Sequence, residues 1–220
     1  MNKKISIPIV PIIIAIVVII ITIVLCTKGV QNQTSKLSKV YEKMVSSQTY
    51  AFTRYDFEEK NKLITYRKVD KTLIDMYNSG QHTSILIDNG DTYLILHENK
   101  EYFVYTNTSK DEEILLNDLK EVIALEYSTG KEKIYGKNYK YEEYKGISVF
   151  LNAIDGKMDA DSVKTRFYFK GNELVYLKTM YDVINEETGE RTQKEELQTV
   201  KVEYDVEDSI FKMPADYAEI

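Results

Sequence analysis

No proline interrupts the 202 residues between Pro11 and Pro214. Proline has no backbone N–H and is confined in sheets to edge strands and bulges, so a run without it can form long hydrogen-bonded strands. From Tyr50 onward, apolar and polar residues alternate with period two in segments rich in Ile, Val, Tyr, Phe and Thr. Together these features predict one large antiparallel sheet.

Short polar segments with the chemistry of tight turns separate the alternating runs. Asn89-Gly90 is the strongest of these signals, because both residues tolerate the positive φ that a two-residue hairpin requires. The spacing of the turns predicts about eleven strands in one meander. Open sheets of more than about ten strands rarely stay flat, so we expect this sheet to curl.

Two segments have helical rather than strand periodicity. The first follows a cap at Ser35 or Thr34, and the second follows the capping box formed by Ser109 and Glu112. A curled sheet can hide its inner face beneath two such helices. The predicted fold class is therefore α+β, an N-terminal transmembrane helix followed by a strongly curved antiparallel half-barrel with helices across its concave face. The apolar helical positions are Leu37, Val40, Tyr41, Met44, Val45, Leu115, Leu119, Val122 and Ile123.

The transmembrane helix in this prediction comes from the start of the chain. Of the 22 residues from Ile5 to Cys26, 18 are Ile, Val, Leu, Ala or Cys and none is charged. As a helix they would measure about 33 Å, enough to cross a hydrocarbon core of about 30 Å, and they exceed the apolar core of a cleavable signal peptide. The sequence predicts an anchor at 1–26, a tether at 27–34 and a folded domain at 35–220. Because an anchor preceded by only four residues normally translocates the domain on its C-terminal side, the predicted localisation is the cell membrane, single-pass, with the C-terminal domain extracytoplasmic.

Cys26 is the only cysteine and stands where a bacterial lipoprotein would carry its lipidated residue. Leu25 is bulkier than the small residue that a lipobox has at that position. Two alternatives therefore stay open, lipidation of Cys26 or a thiol buried in the anchor helix. A single cysteine cannot form an intrachain disulfide, so the domain must fold without one.

Charge and motif content restrict the chemistry that the domain could perform. The residues after Cys26 carry all 35 acids and 27 of the 29 bases, and this acidic balance excludes a basic nucleic-acid binder. No nucleophile, zinc or phosphate-loop motif is present. His82 and His97 are predicted to be surface residues beside hairpin turns, and the acids at Asp155 and Asp159 lack the spacing of a calcium loop. The sequence predicts a protein that is not an enzyme, with no catalytic residue, no metal site and no cofactor.

The chain closes with Phe-x-x-Pro-x-x-Tyr, from Phe211 to Tyr217. The chain resembles the outer-membrane lipoprotein carrier superfamily, the LolA-like and LppX-like half-barrels. The resemblance consists of this ending, an amphipathic helix that runs into a strand at 47–52, tyrosine-rich hairpins and a mid-chain helix. The resemblance extends from Ser35 to Tyr217. It implies a fold that binds an acyl chain or other apolar ligand between sheet and helices, or one that has reused the cavity wall for protein sensing. No residue matches a functional position of the carriers individually.

The function predicted from the sequence is a membrane-tethered binding module of the cell envelope that holds a lipid, an acyl chain or another apolar ligand. This function requires a cavity of roughly 300 Å³ or more between the sheet and the helices. An inner face filled by the protein's own side chains would contradict it. The alternative is an extracytoplasmic protein-interaction or sensor module with a filled core, which binds an envelope protein through an exposed patch. The predicted cavity-lining residues are Leu37, Tyr41, Met44, Leu115, Leu119, Phe167 and Phe169.

Overall fold

A computed structural model describes residues 34–106, 114–146 and 157–220. Two α-helices, one 3-10 helix and one twelve-stranded sheet form in this part of the chain. The helices are α1 (Lys36–Ser47), α2 (Ile114–Ile123) and the 3-10 helix Asp208–Phe211. The strands are β1 (Thr49–Asp56), β2 (Lys62–Lys68), β3 (Lys71–Asn78), β4 (Gln81–Asp88), β5 (Asp91–Leu96), β6 (Glu101–Tyr105), β7 (Tyr127–Ile134), β8 (Lys137–Lys145), β9 (Lys157–Lys170), β10 (Glu173–Ile184), β11 (Arg191–Glu203) and β12 (Ala218–Glu219).

The sheet consists of two antiparallel meanders joined at its centre. Its strand order is β12-β6-β5-β4-β3-β2-β1-β11-β10-β9-β8-β7. Strands β1 and β11 pair antiparallel with Phe52 opposite Val202, and this pairing connects the N-terminal meander to the C-terminal one. The short strand β12 adds to β6 in parallel at one edge. The predicted antiparallel sheet is confirmed.

The hairpin predicted at Asn89-Gly90 is also confirmed. Strand β4 ends at Asp88 and β5 begins at Asp91, so the turn contains only these two residues. Asn89 has φ +54° and Gly90 has φ +85°, the left-handed conformation that a tight hairpin needs at both positions. The local sequence therefore determines the register of this hairpin.

Both helices pack on one face of the sheet. Helix α1 begins after Ser35, whose Oγ accepts a hydrogen bond from Ser38 N, and its side chains at Leu37, Val40 and Met44 are buried. Burial of these apolar side chains stabilises α1, because an isolated helix of this length is only marginally stable in water. The helices, β1 and the C-terminal meander together form one buried cluster: Leu37, Val40, Met44, Tyr50, Phe52, Leu116, Leu119, Val122, Tyr144, Phe167, Phe169, Leu174, Leu177 and Val200.

The C-terminal segment covers part of the opposite face. Ala51 lies between Tyr50 and Phe52 on β1 and points away from the helices, since successive strand residues face opposite sides. It belongs to a second buried cluster with Leu73, Leu86, Ile95, Val206 and Phe211. The chain after β11 thus returns across the N-terminal meander before it ends at the edge of the sheet.

The predicted fold class, with an N-terminal transmembrane helix and about eleven strands in a half-barrel, is wrong in that form. The sheet has twelve strands, and among the residues described no helix combines the length and apolar character needed to span a bilayer. The prediction of a single-pass membrane localisation is overturned by the same finding. The predicted anchor at 1–26, the tether up to residue 33, Cys26 and the Ser109–Glu112 capping box lie outside the described residues.

Gly130 on β7 lies directly opposite Tyr141 on β8, and the tyrosine ring covers it. A methyl group added at Gly130 would come within 2.4 Å of Tyr141 Cζ. We expect Gly130→Ala to lower the free energy of unfolding by about 1 kcal/mol, because the ring must leave its contacts with Arg166 and Tyr168. Urea denaturation followed by circular dichroism measures this loss.

The control for this prediction is the same substitution in a Tyr141→Ala background. Without the ring there is no overlap, and alanine is intrinsically better than glycine in a strand by about 0.5–1 kcal/mol. Gly130→Ala should therefore be neutral or stabilising there. A loss of similar size in both backgrounds would contradict the explanation.

Candidate functional site

The residues predicted to line a cavity come together, but most of them pack against one another. Leu37, Met44, Leu119 and Phe167 have no exposed surface, and Phe169 is also buried. Tyr41 and Leu115 are half-buried and pack against the same cluster. The space between α1 and the C-terminal meander is thus largely filled by the protein's own side chains.

A cavity does exist beside this cluster, at the C-terminal end of α1. Its volume is about 590 Å³ and it is partly open to solvent. The helices contribute Met44, Val45 and Leu116, and strand β1 contributes Tyr50. Strand β2 contributes Arg67, and Gln48 lies between α1 and β1. The turns β2–β3 and β4–β5 complete the wall with Val69, Asp70, Asn89 and Gly90. Of the predicted lining residues, Met44 is the one that this cavity shares.

Arg67 is the notable side chain of this cavity wall. It lies on β2 opposite Tyr50, on the face that the helices cover, and only 9% of it is exposed. Its Nη1 donates a hydrogen bond of 2.6 Å to Thr72 Oγ1 on β3. A guanidinium stays charged at all physiological pH values and has five N–H donors in a planar fork. The cavity therefore combines the apolar side chains of Met44, Val45 and Leu116 with a largely desolvated positive charge.

The rim of the cavity exposes two valines. Val45 on α1 is 44% exposed, and Val69 in the β2–β3 turn is 59% exposed. Val69 has φ +56°, a conformation that is strained for a β-branched residue. Its backbone N–H donates to Gln48 O at 2.8 Å, which ties this turn to the end of α1. Strain of this kind persists only where the surrounding structure imposes it, and it is often found at binding sites.

A row of mostly apolar residues continues from the cavity across the N-terminal meander. The register places Phe52, Thr65, Ile74, Ile85, Leu94 and Phe103 in one row on the face that carries the helices. Phe52 is buried beneath the helices, whereas Ile74, Ile85, Leu94 and Phe103 are only half-buried and belong to neither buried cluster. We call the four half-buried residues Ile74, Ile85, Leu94 and Phe103 the apolar floor.

A second cavity of about 570 Å³ lies on the other side of α1, against β10 and β11. Its cationic side chains are Lys39, Lys43 and Lys201, all of them exposed. Lys43 Nζ lies 3.9 Å from the centre of the Tyr204 ring. Exposed lysines are well hydrated and screened by salt, so this cavity is a weaker candidate for selective binding than the one that contains Arg67.

Sequence reasoning missed Arg67. Arg67 lies on the same face of β2 as Thr65 and Leu63, two and four residues away. The available signal was therefore a cation among residues that point towards the core. That signal has meaning only once the face covered by the helices is known, and the face cannot be assigned from β2 alone.

No family model matches this chain, and no curated protein matches it either. Solved structures that it resembles include the crystal structure of an uncharacterised conserved protein from Thermus thermophilus, with a TM-score of 0.42 and 9% sequence identity over 84% of this chain and 99% of that one. These comparisons give no support to the lipoprotein prediction or to the resemblance to lipoprotein carriers.

Proposed function

We propose that this protein binds an apolar molecule with an acidic head group, such as a long-chain fatty acid, in the cavity that contains Arg67. The observation that carries the proposal is a guanidinium, 9% exposed, in the wall of a cavity of about 590 Å³ that Met44, Val45 and Leu116 also line. This volume is within the range of about 300–1,000 Å³ that is usual for small-molecule sites.

The acidic head group would bind to the guanidinium of Arg67. An arginine fork matches the two oxygens of a carboxylate, and charge-assisted hydrogen bonds of this kind are about twice as strong as neutral ones. The hydrogen bond to Thr72 holds the plane of the guanidinium in one orientation. Burial strengthens the attraction further, because the effective dielectric constant is lower than in water.

The apolar tail would lie against Met44, Tyr50 and Leu116 and could extend over the apolar floor. Covering half-buried isoleucine, leucine and phenylalanine side chains contributes about 25 cal/mol for each Å² of apolar surface removed from water. The filled cluster around Leu37 and Phe167 leaves no comparable space, so we place the ligand beside that cluster rather than within it.

Replacing Arg67 with methionine should weaken binding of palmitic acid at least about tenfold, since a hydrogen bond to a charged group contributes about 1.5–3 kcal/mol. Binding of 1-hexadecanol, which has the same chain length and no charge, should change much less. Isothermal titration calorimetry of the full chain with each compound measures both affinities.

Two further variants make this test specific. Arg191→Met removes an exposed arginine on β11, paired with Asp159, and should leave palmitate binding unchanged. Val45→Trp places a bulky ring at the rim and should weaken binding of both compounds. If palmitate bound equally well to Arg67→Met and the unaltered protein, the proposal would be wrong. Absence of binding to the unaltered protein would favour the protein-interaction alternative.

A further inference from the structure

Both histidines of the chain meet on the face of the sheet opposite the helices. His82 lies near the start of β4, and His97 follows the end of β5. His97 N donates to His82 O at 3.2 Å, which makes the two residues cross-strand neighbours. Asp75 on β3 faces the same side, because it lies two residues before Tyr77, the partner of His82 in the register. The sheet thus gathers two imidazoles and a carboxylate from three adjacent strands.

The metal-binding atoms of these three residues converge on one point. One ligand atom from each lies within 4.8 Å of the other two. The hydroxyl of Ser84 stands between them, 2.5 Å from Asp75 Oδ1, 2.6 Å from His97 Nε2 and 3.4 Å from His82 Nε2. His82 Nε2 is also 3.4 Å from Asp75 Oδ1. The Ser84 hydroxyl therefore lies among the three ligand atoms, in close contact with Asp75 and His97.

Neighbouring aromatic residues pack against the two imidazoles. The rings of His82 and His97 stack with centroids 3.6 Å apart and planes 2° from parallel. Tyr77 stacks on the outer side of His82 at 4.1 Å, and the Tyr217 hydroxyl lies 2.9 Å from His97 Nδ1. A hydrogen-bond partner on the second ring nitrogen is the usual feature that orients a metal-binding histidine and fixes its tautomer. Ser84 donates its single proton to Asp75, so without an ion Nε2–H of His97 donates to Ser84 and Nδ1 accepts from the Tyr217 hydroxyl. When an ion replaces the Ser84 hydroxyl, the proton leaves Nε2, and Nδ1–H donates to Tyr217.

We propose that Asp75, His82 and His97 bind a divalent transition-metal ion, of which Zn²⁺ and Co²⁺ are the probes of choice. Two imidazoles and one carboxylate are ligands that suit zinc and its first-row neighbours, and they leave coordination positions open. The ion replaces the Ser84 hydroxyl, and rotation of the serine to another staggered conformer moves the hydroxyl aside. One imidazole must also turn out of the His82–His97 stack, because the in-plane lone pairs of two parallel rings 3.6 Å apart cannot both point at one ion. The side chains of His82 and Asp75 are 26% and 13% exposed, which provides an entry path.

This site is independent of the proposed ligand cavity. Asp75, His82 and His97 face the side that the C-terminal segment covers, whereas Arg67 faces the helices. The two proposals can therefore fail separately. Because Tyr217 contacts His97, a bound ion also connects the C-terminal segment to strands β3 to β5.

Titration of the full chain with Co²⁺ and Zn²⁺ tests the site directly. We expect one ion per chain, visible absorption from bound Co²⁺ and displacement of Co²⁺ by Zn²⁺. His82→Ala and His97→Ala should each weaken binding at least about tenfold, since each removes one of three protein ligands. Asp91→Asn, at the other end of the β4–β5 hairpin, should bind like the unaltered protein.

Ser84→Ala distinguishes a metal site from a network of hydrogen bonds. If the cluster binds a metal ion, this variant retains binding or strengthens it, because the hydroxyl no longer occupies the site. Binding abolished by Ser84→Ala, in a variant that still folds, would contradict the proposed ligand set. Absence of a Co²⁺ spectrum in the unaltered protein, or an unchanged one in the His82→Ala/His97→Ala double variant, would overturn the proposal.

Discussion

Replacing Glu142 with glutamine is expected to lower the free energy of unfolding by about 3 kcal/mol, the range for breaking a buried charged hydrogen-bond network. Glu142 is on β8 and is 5% exposed. Its carboxylate accepts hydrogen bonds from Lys36 N at 2.6 Å and Leu37 N at 3.1 Å, the first two backbone N–H groups of α1. It also accepts from the hydroxyl of Ser35 at 2.8 Å.

The physical reason lies in the N-terminus of α1, which has no acidic residue of its own in the first turn. The first N–H groups of a helix have no partner within the helix, and together with the helix dipole they favour a negative charge. Glutamine keeps the size of the side chain, but its NH₂ group would face backbone N–H donors. One acceptor is lost, and a donor is left buried in its place.

Urea denaturation at pH 7 measures this effect, which corresponds to a fall in Tm of roughly 6–12 °C for a domain of this size. The matched control is Glu190→Gln in the exposed turn before β11, which should change stability by less than about 0.5 kcal/mol. Ser35→Ala should be less harmful in the Glu142→Gln background than alone, because the two side chains share one network. Additive losses would contradict the shared network.

Glu132→Gln is expected to lower the free energy of unfolding by about 2 kcal/mol at pH 7, and the loss should disappear in acid. Glu132 is on β7, on the face away from the helices. Its carboxylate contacts Arg166 Nη1 at 2.7 Å, Lys178 Nζ at 2.9 Å and the Tyr168 hydroxyl at 2.5 Å. Burial by itself raises the pKa of Glu132, but the hydrogen bonds from Tyr168, Lys178 and Arg166 outweigh it and lower the pKa to about 2.

The direction of the pH dependence follows from this lowered pKa. An unfolded glutamate has a pKa of about 4.3, so the ionised carboxylate stabilises the folded state above that pH. The stabilisation is lost as the pH falls from about 4.5 towards 2, where the folded group takes up its proton. Because the Glu132 side chain is 26% exposed, solvent screens its ion pairs in part, and the expected stabilisation is about 2 kcal/mol.

Stability measured by urea denaturation between pH 7 and pH 2 tests this prediction. The unaltered protein and Glu132→Gln should differ most above pH 5 and converge near pH 2. Glu195→Gln is the control, because Glu195 also pairs with Lys178 but its side chain is 50% exposed. It should change stability by less than about 1 kcal/mol. A constant difference at every pH would mean that the charge of Glu132 is not the cause.

Local features of the fold could be predicted from the sequence. The Asn89-Gly90 turn, a cap at Ser35 or Thr34 and the alternation that gives an antiparallel sheet each depend on a few neighbouring residues, and the structure has Ser35 as the cap. The strand order could not be predicted, because the pairing of β1 with β11 depends on contacts between distant segments. The transmembrane helix was predicted from the apolar run at the start of the chain, and no helix among the described residues is long and apolar enough to span a membrane.

The candidate site was less predictable than the fold. Its determinants are single polar residues whose meaning depends on residues far away in the chain. Arg67 matters because α1 and α2 cover its face, and His82 acquires a partner only because β4 and β5 align it with His97. The local sequence pattern predicts that each of these residues lies in a strand or beside a turn. It does not indicate which side of the sheet they face or what covers that side.

The pairing of β1 with β11 has a consequence for how the protein forms during synthesis. Each hairpin of the N-terminal meander can close soon after its residues leave the ribosome, since its contacts are local. Strand β1 must wait for β11, because Ala51 pairs with Glu203 and almost the whole domain has to be made first. Until then β1 presents an open row of backbone donors and acceptors, and such an edge can pair with another nascent chain. Slow translation before Arg191 should therefore favour aggregation of this protein over native folding.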